Sequence, residues 1–421
     1  MEQSADLKSA DQPDTTRWLK FQTMLSELAK KNCFQQLHWP GIKRAHQLTG
    51  FAQFQEQCPF TTKDMLAVDR LDNPHYGTNL TYPLNHYTRF HQTSGTLGAP
   101  MAWLDTPDDW QWMLRNWDVV LGNAGVQKSE KCFFAFSFGP FLGFWTAHDA
   151  AIQRGSLCMP GGGQSSEQRL KIIIGQKAEH LFCTPTYALR LPEVAQEAGI
   201  DLSNNNLRTI IVAGETGGSQ SSVRDKISKN WHGVKVIDHY GMTEVGPVAY
   251  EIPGGQGGLR IIEESYYPEV VDPQSGLPAA SGELGELVLT TLGRTGCPVL
   301  RYRTGDLVSV KKGRDDKGNT TFDLMGGILG RTDDMIVVRG VNLYPASVDS
   351  VIRRFDQVGE YRVYKENTGS MVEIKIEVEA ESRIAELVEK ELKDAFSLRI
   401  PVQSVERGKL PRFEMKAKRW E

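Results

Sequence analysis

The sequence predicts an α/β protein. It comprises a large N-terminal domain of helix-covered mixed sheets with a β-structured subdomain, then a small α+β C-terminal domain. Three observations predict it. Between 132 and 241, apolar runs of strand length alternate with stretches of helical length, the pattern of a parallel or mixed sheet covered by helices. After about 250 the chain turns to strand-like runs, "GELGELVLTTLG" (282–293) and "VLRYRTGDLVSV" (299–310). After "GRTDD" (330–334) a smaller unit of strands and helices begins. A boundary near 331–333 divides the chain into domains 1–331 and 332–421.

In chain order, Trp18, Phe21, Leu25 and Leu28 recur at helical spacing and predict an amphipathic helix over 17–38. A second helix is expected at 108–121, with Asp108 near its start and Gly122 after its end. Strands are predicted at 132–138, 155–160, 180–185, 207–215 and 234–241. Helices are predicted at 146–154, 166–178, 186–198 and 219–231. Ligands of such sheets bind beyond the carboxyl ends of the strands. A further strand is expected at 320–326. The smaller unit reads as strand 335–339, helix 345–355, a hairpin containing "MVEIKIEVE" (371–379) and helix 382–396.

The 421 residues carry a formal net charge of −4 and a pI of about 6.2. A general nucleic-acid binder is normally basic over a whole domain, so no nucleic-acid partner is expected. The polar, acidic start lacks an apolar secretory segment. The longest apolar stretch, "CFFAFSFGPFLGFW" (132–145), is too short to span a bilayer. The cysteines at 33, 58, 132, 158, 183 and 297 form no CxxC pair. A reduced, cytoplasmic protein without a membrane partner is the expectation.

Four segments carry chemistry. "HQTSGTLGAPMAW" (91–103) offers hydroxyls from Thr93, Ser94 and Thr96, and Gly95 and Gly98 let backbone amides approach a polyphosphate. It lacks the GK[ST] ending of a Walker A loop, and composition alone favours a polar turn between strands. In "DHYGMTEVGP" (238–247), Glu244 is a hard oxygen donor suited to Mg²⁺ and Thr243 a donor to phosphate. A lone strand-end loop with one Glu is more often just a loop. In "YRTGDL" (302–307), Asp306 is placed to accept both ribose hydroxyls, or else to satisfy its own β-turn. "GRTDDMIVVRGVNLYP" (330–345) suits a hinge followed by a strand, with Arg331 in reach of a nucleotide; a surface turn with a salt bridge is the alternative. The final "ERGKLPRFEMKAKRWE" (406–421) reads alone as a solvated basic tail.

Together, and in this order, these segments resemble the adenylate-forming superfamily of acyl-CoA synthetases, peptide-synthetase adenylation domains and luciferases. The resemblance is closest to phenylacetate-CoA ligases and covers nearly the whole chain. "CPFTTKDML" (58–66), "LFCTPTYALRL" (181–191), "VAGETGGS" (212–219) and "LPRFEMKAKR" (410–419) extend it. It implies a two-step reaction. A carboxylate attacks the α-phosphorus of ATP and releases pyrophosphate; a thiol, typically coenzyme A, then displaces AMP from the acyl-adenylate.

Carried over by motif, Thr93, Ser94, Gly95, Thr96 and Gly98 grip the phosphates. Gly214, Glu215 and Tyr240 flank the adenine side, and Asp238, His239, Gly241 and Met242 join them in binding ATP or AMP. Thr243 meets the α-phosphate, Glu244 holds Mg²⁺, Asp306 holds the ribose and Arg331 meets the nucleotide. Lys416, from the small domain, is the catalytic cation of the first step. Asp333 is the hinge about which that mobile domain swings, and Gly340 lies on the face that then builds the thiol tunnel. The implied acyl pocket is aromatic, with Phe138, Phe141, Trp145, Ala213 and His239 lining it. An aryl or arylacetic acid is the expected substrate.

Two departures matter. Many phenylacetate-CoA ligase relatives carry a Cys/His zinc site, but 248–261 and 322–331 contain neither residue here, so no structural zinc is expected. Leu97 and Met101 stand where the wider superfamily has Thr and Lys. Two other readings stay open: acyl transfer to a carrier protein or amine, and a catalytically silent nucleotide-binding homologue. The particular acid and the oligomeric state are also open, a homodimer included.

Overall fold

A computed structural model describes residues 12–93, 100–254, 257–315, 320–339, 341–368, 371–413 and 417–421. It opens on helices α1 (Gln12–Lys31), α2 (Cys33–His38), α3 (Phe51–Gln57) and α4 (Lys63–Asp72). The single helix expected over 17–38 is broken at Asn32. Its Oδ1 accepts the Gln35 N–H at 2.9 Å and caps a second helix, a local bond by which asparagine competes with a continuing helix. Trp18, Phe21, Leu25 and Leu28 are buried as expected, against Phe51 and Phe54 of α3.

A hairpin follows, β1 (Arg89–Gln92) against β2 (Ala102–Asp105). Helix α5 (Pro107–Asn123) starts at a capping box between Thr106 and Asp109. Then come β3 (Lys131–Phe134), α6 (Leu142–Arg154), β4 (Leu157–Pro160), α7 (Ser166–Gly175), β5 (His180–Cys183), α8 (Pro185–Glu197), β6 (Thr209–Val212), α9 (Ser221–Asn230) and β7 (Lys235–Met242). Strands β4, β3, β5, β6 and β7 lie parallel in that order. Successive side chains serve opposite faces. Phe133, Leu181, Ile210, Val212 and Val236 pack with α7, α8 and α9, whereas Cys132, Phe134, Phe182, Ile211 and Ile237 pack with α5 and α6. Burial on both faces is why these strands read as unbroken apolar runs.

Beyond β7 the sheet becomes antiparallel. It takes in β8 (Gly246–Glu251), β9 (Leu259–Ile261), β10 (Tyr266–Val271), β11 (Leu284–Thr291), β12 (Tyr302–Arg314), β13 (Thr320–Leu324) and β14 (Gly330–Arg331). Among the described residues this makes one mixed sheet of 12 strands. The α/β reading therefore holds, although the parallel and antiparallel halves share a sheet through β7.

The rest of the chain has its own sheet and core. It consists of β15 (Ile336–Val338), β16 (Val341–Leu343), α10 (Pro345–Ile352), β17 (Tyr361–Thr368), β18 (Met371–Glu379), α11 (Ser382–Phe396) and β19 (Val402–Val405). Val348, Val351, Ile376, Val388 and Leu392 are among its buried side chains, and all of those lie at 338 or beyond. The last residues are no loose tail. The Lys365 N–H donates to the Glu421 carbonyl at 2.7 Å, and Arg419 pairs with Glu360 at 2.7 Å. No helix among the described residues is long and apolar enough to cross a membrane.

Candidate active site

The carboxyl ends of the parallel strands face a cluster of turns. After β7 the chain reverses through Thr243, Glu244 and Val245 into β8. Gly246 closes the reversal at φ +90, where a side chain would be strained; a Cβ there would also sit 3.2 Å from Met113. Glu244 is buried, and its Oε1 lies 3.4 Å from Lys63 Nζ on α4. Lys63 lies in the "PFTTK" segment, but nothing in the sequence marked it as a partner of Glu244. The carbonyls of Thr243 and Glu244 both accept from Arg294 Nη1, at 2.8 and 3.0 Å, a contact with no sequence signal either.

Asp306 is the hub of a second cluster. Its carboxylate does not turn back on its own backbone. Oδ2 accepts the Tyr240 hydroxyl at 2.6 Å and Oδ1 the Arg331 Nη1 at 3.0 Å. Strands place all three: Tyr240 on β7, Asp306 on β12, and Arg331 opposite Asp306 in the β12–β14 register. Arg331 also clasps Asp333 with Nε and Nη2 at 2.8 and 3.1 Å. The salt bridge of the alternative reading of 330–345 is present, but the same guanidinium reaches Asp306. Burial pushes the Asp306 carboxyl up to about 6, against the pull of Arg331 and Tyr240.

Glu215 follows β6. Its Oε1 accepts the Thr186 N–H at 2.7 Å and its Oε2 the Ala417 N–H at 3.1 Å. A residue near the end of the chain is thus docked on the large unit. The neighbouring contacts agree: Lys226 Nζ donates to the Val358 carbonyl at 2.8 Å, Lys229 pairs with Asp356 at 2.6 Å and Arg412 with Glu193 at 3.3 Å. Gly214 has φ +92, a left-handed turn that glycine adopts without strain.

The other expected residues divide. Asp238 is buried below the turns. It is held by the Ser219 hydroxyl at 2.5 Å and the His239 N–H at 2.9 Å, and burial pushes its carboxyl up to about 7. His239 packs against Trp117 with ring centroids 4.1 Å apart. Its Nδ1 bonds the Ala249 carbonyl at 2.8 Å, while burial lowers its pKa to about 4, so the ring is neutral and Nδ1 carries the proton. Gly241 and Met242 end β7, and Ala213 is buried after β6. Phe138 and Trp145 meet edge to face at 4.8 Å, beside Phe136 and His148. Phe141 is 39% exposed; the strand expected over 132–138 ends at Phe134, and α6 begins at Leu142, leaving Phe141 as its cap. Thr93 exchanges two hydrogen bonds with Met101, Thr93 N–H to the Met101 carbonyl at 3.0 Å and Met101 N–H to Thr93 Oγ1 at 3.1 Å. Ser94, Gly95, Thr96, Gly98, Gly340 and Lys416 lie outside the described residues.

Comparison with known proteins adds to this geometry. The AMP-binding enzyme family matches residues 91–294, and the AMP-binding enzyme C-terminal domain family matches residues 340–420. The phenylacetate-coenzyme A ligase of Escherichia coli (strain K12) is 31% identical over 378 residues, 85% of this chain and 83% of that protein. A 2-hydroxyisobutyryl-CoA ligase in the postadenylation state, complexed with 2-HIB-AMP, matches with a TM-score of 0.91 at 24% identity, over 99% of this chain and 90% of that one. The same ligase in the thioesterification state, with 2-HIB-AMP and CoA, matches with a TM-score of 0.73 at 25% identity, over 98% and 90%.

Proposed function

The chain belongs to the phenylacetate-CoA ligase family of AMP-binding enzymes and is an AMP-forming acyl-CoA ligase; from that premise we propose that it activates an aromatic, aryl or arylacetic, acid as its acyl-adenylate and transfers the acyl group to coenzyme A. The observation that carries this reading is the Ala417 N–H on Glu215. It seats the last segment of the chain against the turn after β6, among the site residues. The higher TM-score to the postadenylation arrangement than to the thioesterification one supports the same placement.

The roles are those the resemblance implies, and the described geometry is compatible with them. Asp306, ionised above about pH 6, offers carboxylate oxygens to the ribose hydroxyls, with Tyr240 and Arg331 fixing its orientation. Thr243 donates to the α-phosphate, and the segment between Thr93 and Met101 is assigned the leaving phosphates. The family implies Mg²⁺, which takes one or two carboxylates together with substrate phosphate oxygens. Glu244, a buried carboxylate at the turn, fits that need, and Mg²⁺ held there would neutralise phosphate charge. Lys416, next to Ala417 in sequence, is assigned the cation that offsets repulsion between carboxylate and phosphate. Its unit, 332–421, is then the mobile domain, hinged at Asp333, and 1–331 the fixed one, with Gly340 on the face turned to the thiol in the second step. Phe138, Trp145, Ala213 and the neutral His239 give an apolar, ring-lined wall, which favours a planar acid; the exposed Phe141 contributes at the mouth.

Pyrophosphate–ATP exchange across aromatic and aliphatic acids tests this, followed by coenzyme A and a phosphopantetheinylated carrier as acceptors on the acids that respond. Exchange strongest with arylacetic or aryl acids, and thioester formed with coenzyme A, is the expected result. Exchange with aliphatic acids alone would remove the aromatic assignment, and transfer only to the carrier would remove coenzyme A as the acceptor.

A further inference from the structure

Arg294 and Asp105 stand 189 residues apart in sequence and hold no role assigned above, yet they form an ion pair with both side chains fully buried, Nε to Oδ1 at 2.7 Å. We propose that Arg294, oriented by Asp105, is a positioning residue that fixes the Thr243–Glu244 turn relative to the β1–β2 hairpin. The proposal rests on the reading that this turn serves ATP.

The geometry makes the tie specific. One guanidinium nitrogen, Nη1, donates to two successive carbonyls of the turn, Thr243 at 2.8 Å and Glu244 at 3.0 Å, while Nε faces the carboxylate. Only a planar, multiply donating cation spans these three acceptors; an ammonium is a point charge on a flexible stem. Asp105 is the last residue of β2, and Trp103 of the same strand has its ring 5.3 Å from the guanidinium carbon. His91 of β1 approaches from the partner strand, Nδ1 to Asp105 Oδ2 at 3.7 Å. A second link runs alongside: Asp109, in the first turn of α5, accepts the Gly296 N–H at 3.1 Å. The segment 294–296 thus joins the exit of the hairpin to the turn after β7.

A purely structural brace would look different. Buried ion pairs are weak devices for stability, and apolar side chains of similar volume often replace them without loss. Among the described residues Arg294 Nη2 has no hydrogen-bond partner, and Asp105 Oδ2 and His91 Nδ1 meet only at 3.7 Å, so the cluster is not optimised as a brace. What the guanidinium secures is the backbone of Thr243 and Glu244. A misplacement of about 1 Å at reacting groups costs on the order of 100-fold in rate.

The test is the double variant Arg294→Met with Asp105→Asn, which removes both charges and strands neither. Three quantities are compared with the wild-type enzyme: melting temperature, hydrogen exchange in 239–247 and 89–105, and the two half-reactions assayed separately. The expected result is a folded protein with faster exchange in both segments. Pyrophosphate exchange should fall about 100-fold with a raised Mg²⁺ requirement, and thiolysis of preformed acyl-adenylate, which keeps the α-phosphate but has lost pyrophosphate, should fall by much less. A folded variant with wild-type exchange and adenylation overturns the proposal, as does an equal loss of both half-reactions, the signature of a brace alone. If the double variant does not fold, Arg294→Lys, which keeps the charge and loses the fork, is read against the same outcomes. The wild-type control separates the two failures. No exchange with any acid removes the ATP reading and the proposal together; normal wild-type exchange with an unaffected variant removes the proposal alone.

Discussion

The two edges of the parallel strands are built from similar residues to opposite ends. At the amino edge, Glu130 accepts from the Gln127 N–H at 2.6 Å, bonds His180 Nε2 at 2.8 Å and pairs with Arg208, while His180 Nδ1 bonds Thr209 at 2.7 Å. Burial works against the Glu130 charge, but these partners win and hold its pKa below the usual carboxylate value. At the carboxyl edge Asp105 is likewise held low, by Arg294 and His91 against its burial, but two other carboxyls go the opposite way. Burial drives Asp306 up to about 6 and Asp238 up to about 7 despite their partners. Among the described residues, Arg294 Nη2 has no hydrogen-bond partner there. The amino-edge carboxylate is held charged by its neighbours, whereas burial holds two carboxyls of the other edge against their charge. Perturbed groups of this kind mark functional sites.

Substitutions break this contrast in graded steps. The largest effect is expected from Glu244→Gln, which removes the buried carboxylate assigned to Mg²⁺. Adenylation should fall on the order of 100- to 1000-fold, as for loss of one group that stabilises a charged transition state, with the Mg²⁺ dependence flattened in initial-rate assays. Asp306→Asn comes next. Losing charged hydrogen bonds of about 1.5–3 kcal/mol raises the KM for ATP roughly 10- to 100-fold, measured by steady-state titration. At the other edge, Glu130→Gln should cost about 1–3 kcal/mol of stability in denaturant unfolding and leave both half-reactions as they were. A rate loss there would erase the distinction between the edges.

The smallest effect is a pH dependence. The Asp306 pKa is raised from its usual 3.8 to about 6 in the folded protein. As pH falls through about 6 the carboxyl gains a proton and ceases to accept two hydroxyl bonds, so the KM for ATP rises on the acid side. The sign for folding is the opposite. The buried charge is avoided below 3.8, and the stability that this confers is lost as pH climbs through 6. Asp306→Asn should remove the acid-side rise in KM.

How legible was this in the residues themselves? The parallel strands were, because burial on both faces leaves no polar alternation to confuse them. Asp306 and Glu244 were legible as motif members, but not their partners. Lys63 and Arg294 reach the Glu244 turn from far away in sequence, and spacing carries no trace of such contacts. The break at Asn32 was missed because helical periodicity continues across it, and the competing bond is one side chain to one amide. Phe141 read as part of an aromatic wall, yet the strand ends early and leaves it half in solvent. The basic tail read as solvated charge; Arg419 is instead tied to Glu360 within the small unit.

On the proposed reading, the segment docked by Ala417 on Glu215 completes the site for the first step and not for the second. The most direct measurement is Lys416→Ala with the half-reactions separated: pyrophosphate exchange for adenylation, and coenzyme A added to preformed acyl-adenylate for transfer. Adenylation is expected to fall on the order of 100-fold or more, with transfer largely preserved. Equal loss in both half-reactions, or none in either, would contradict that reading.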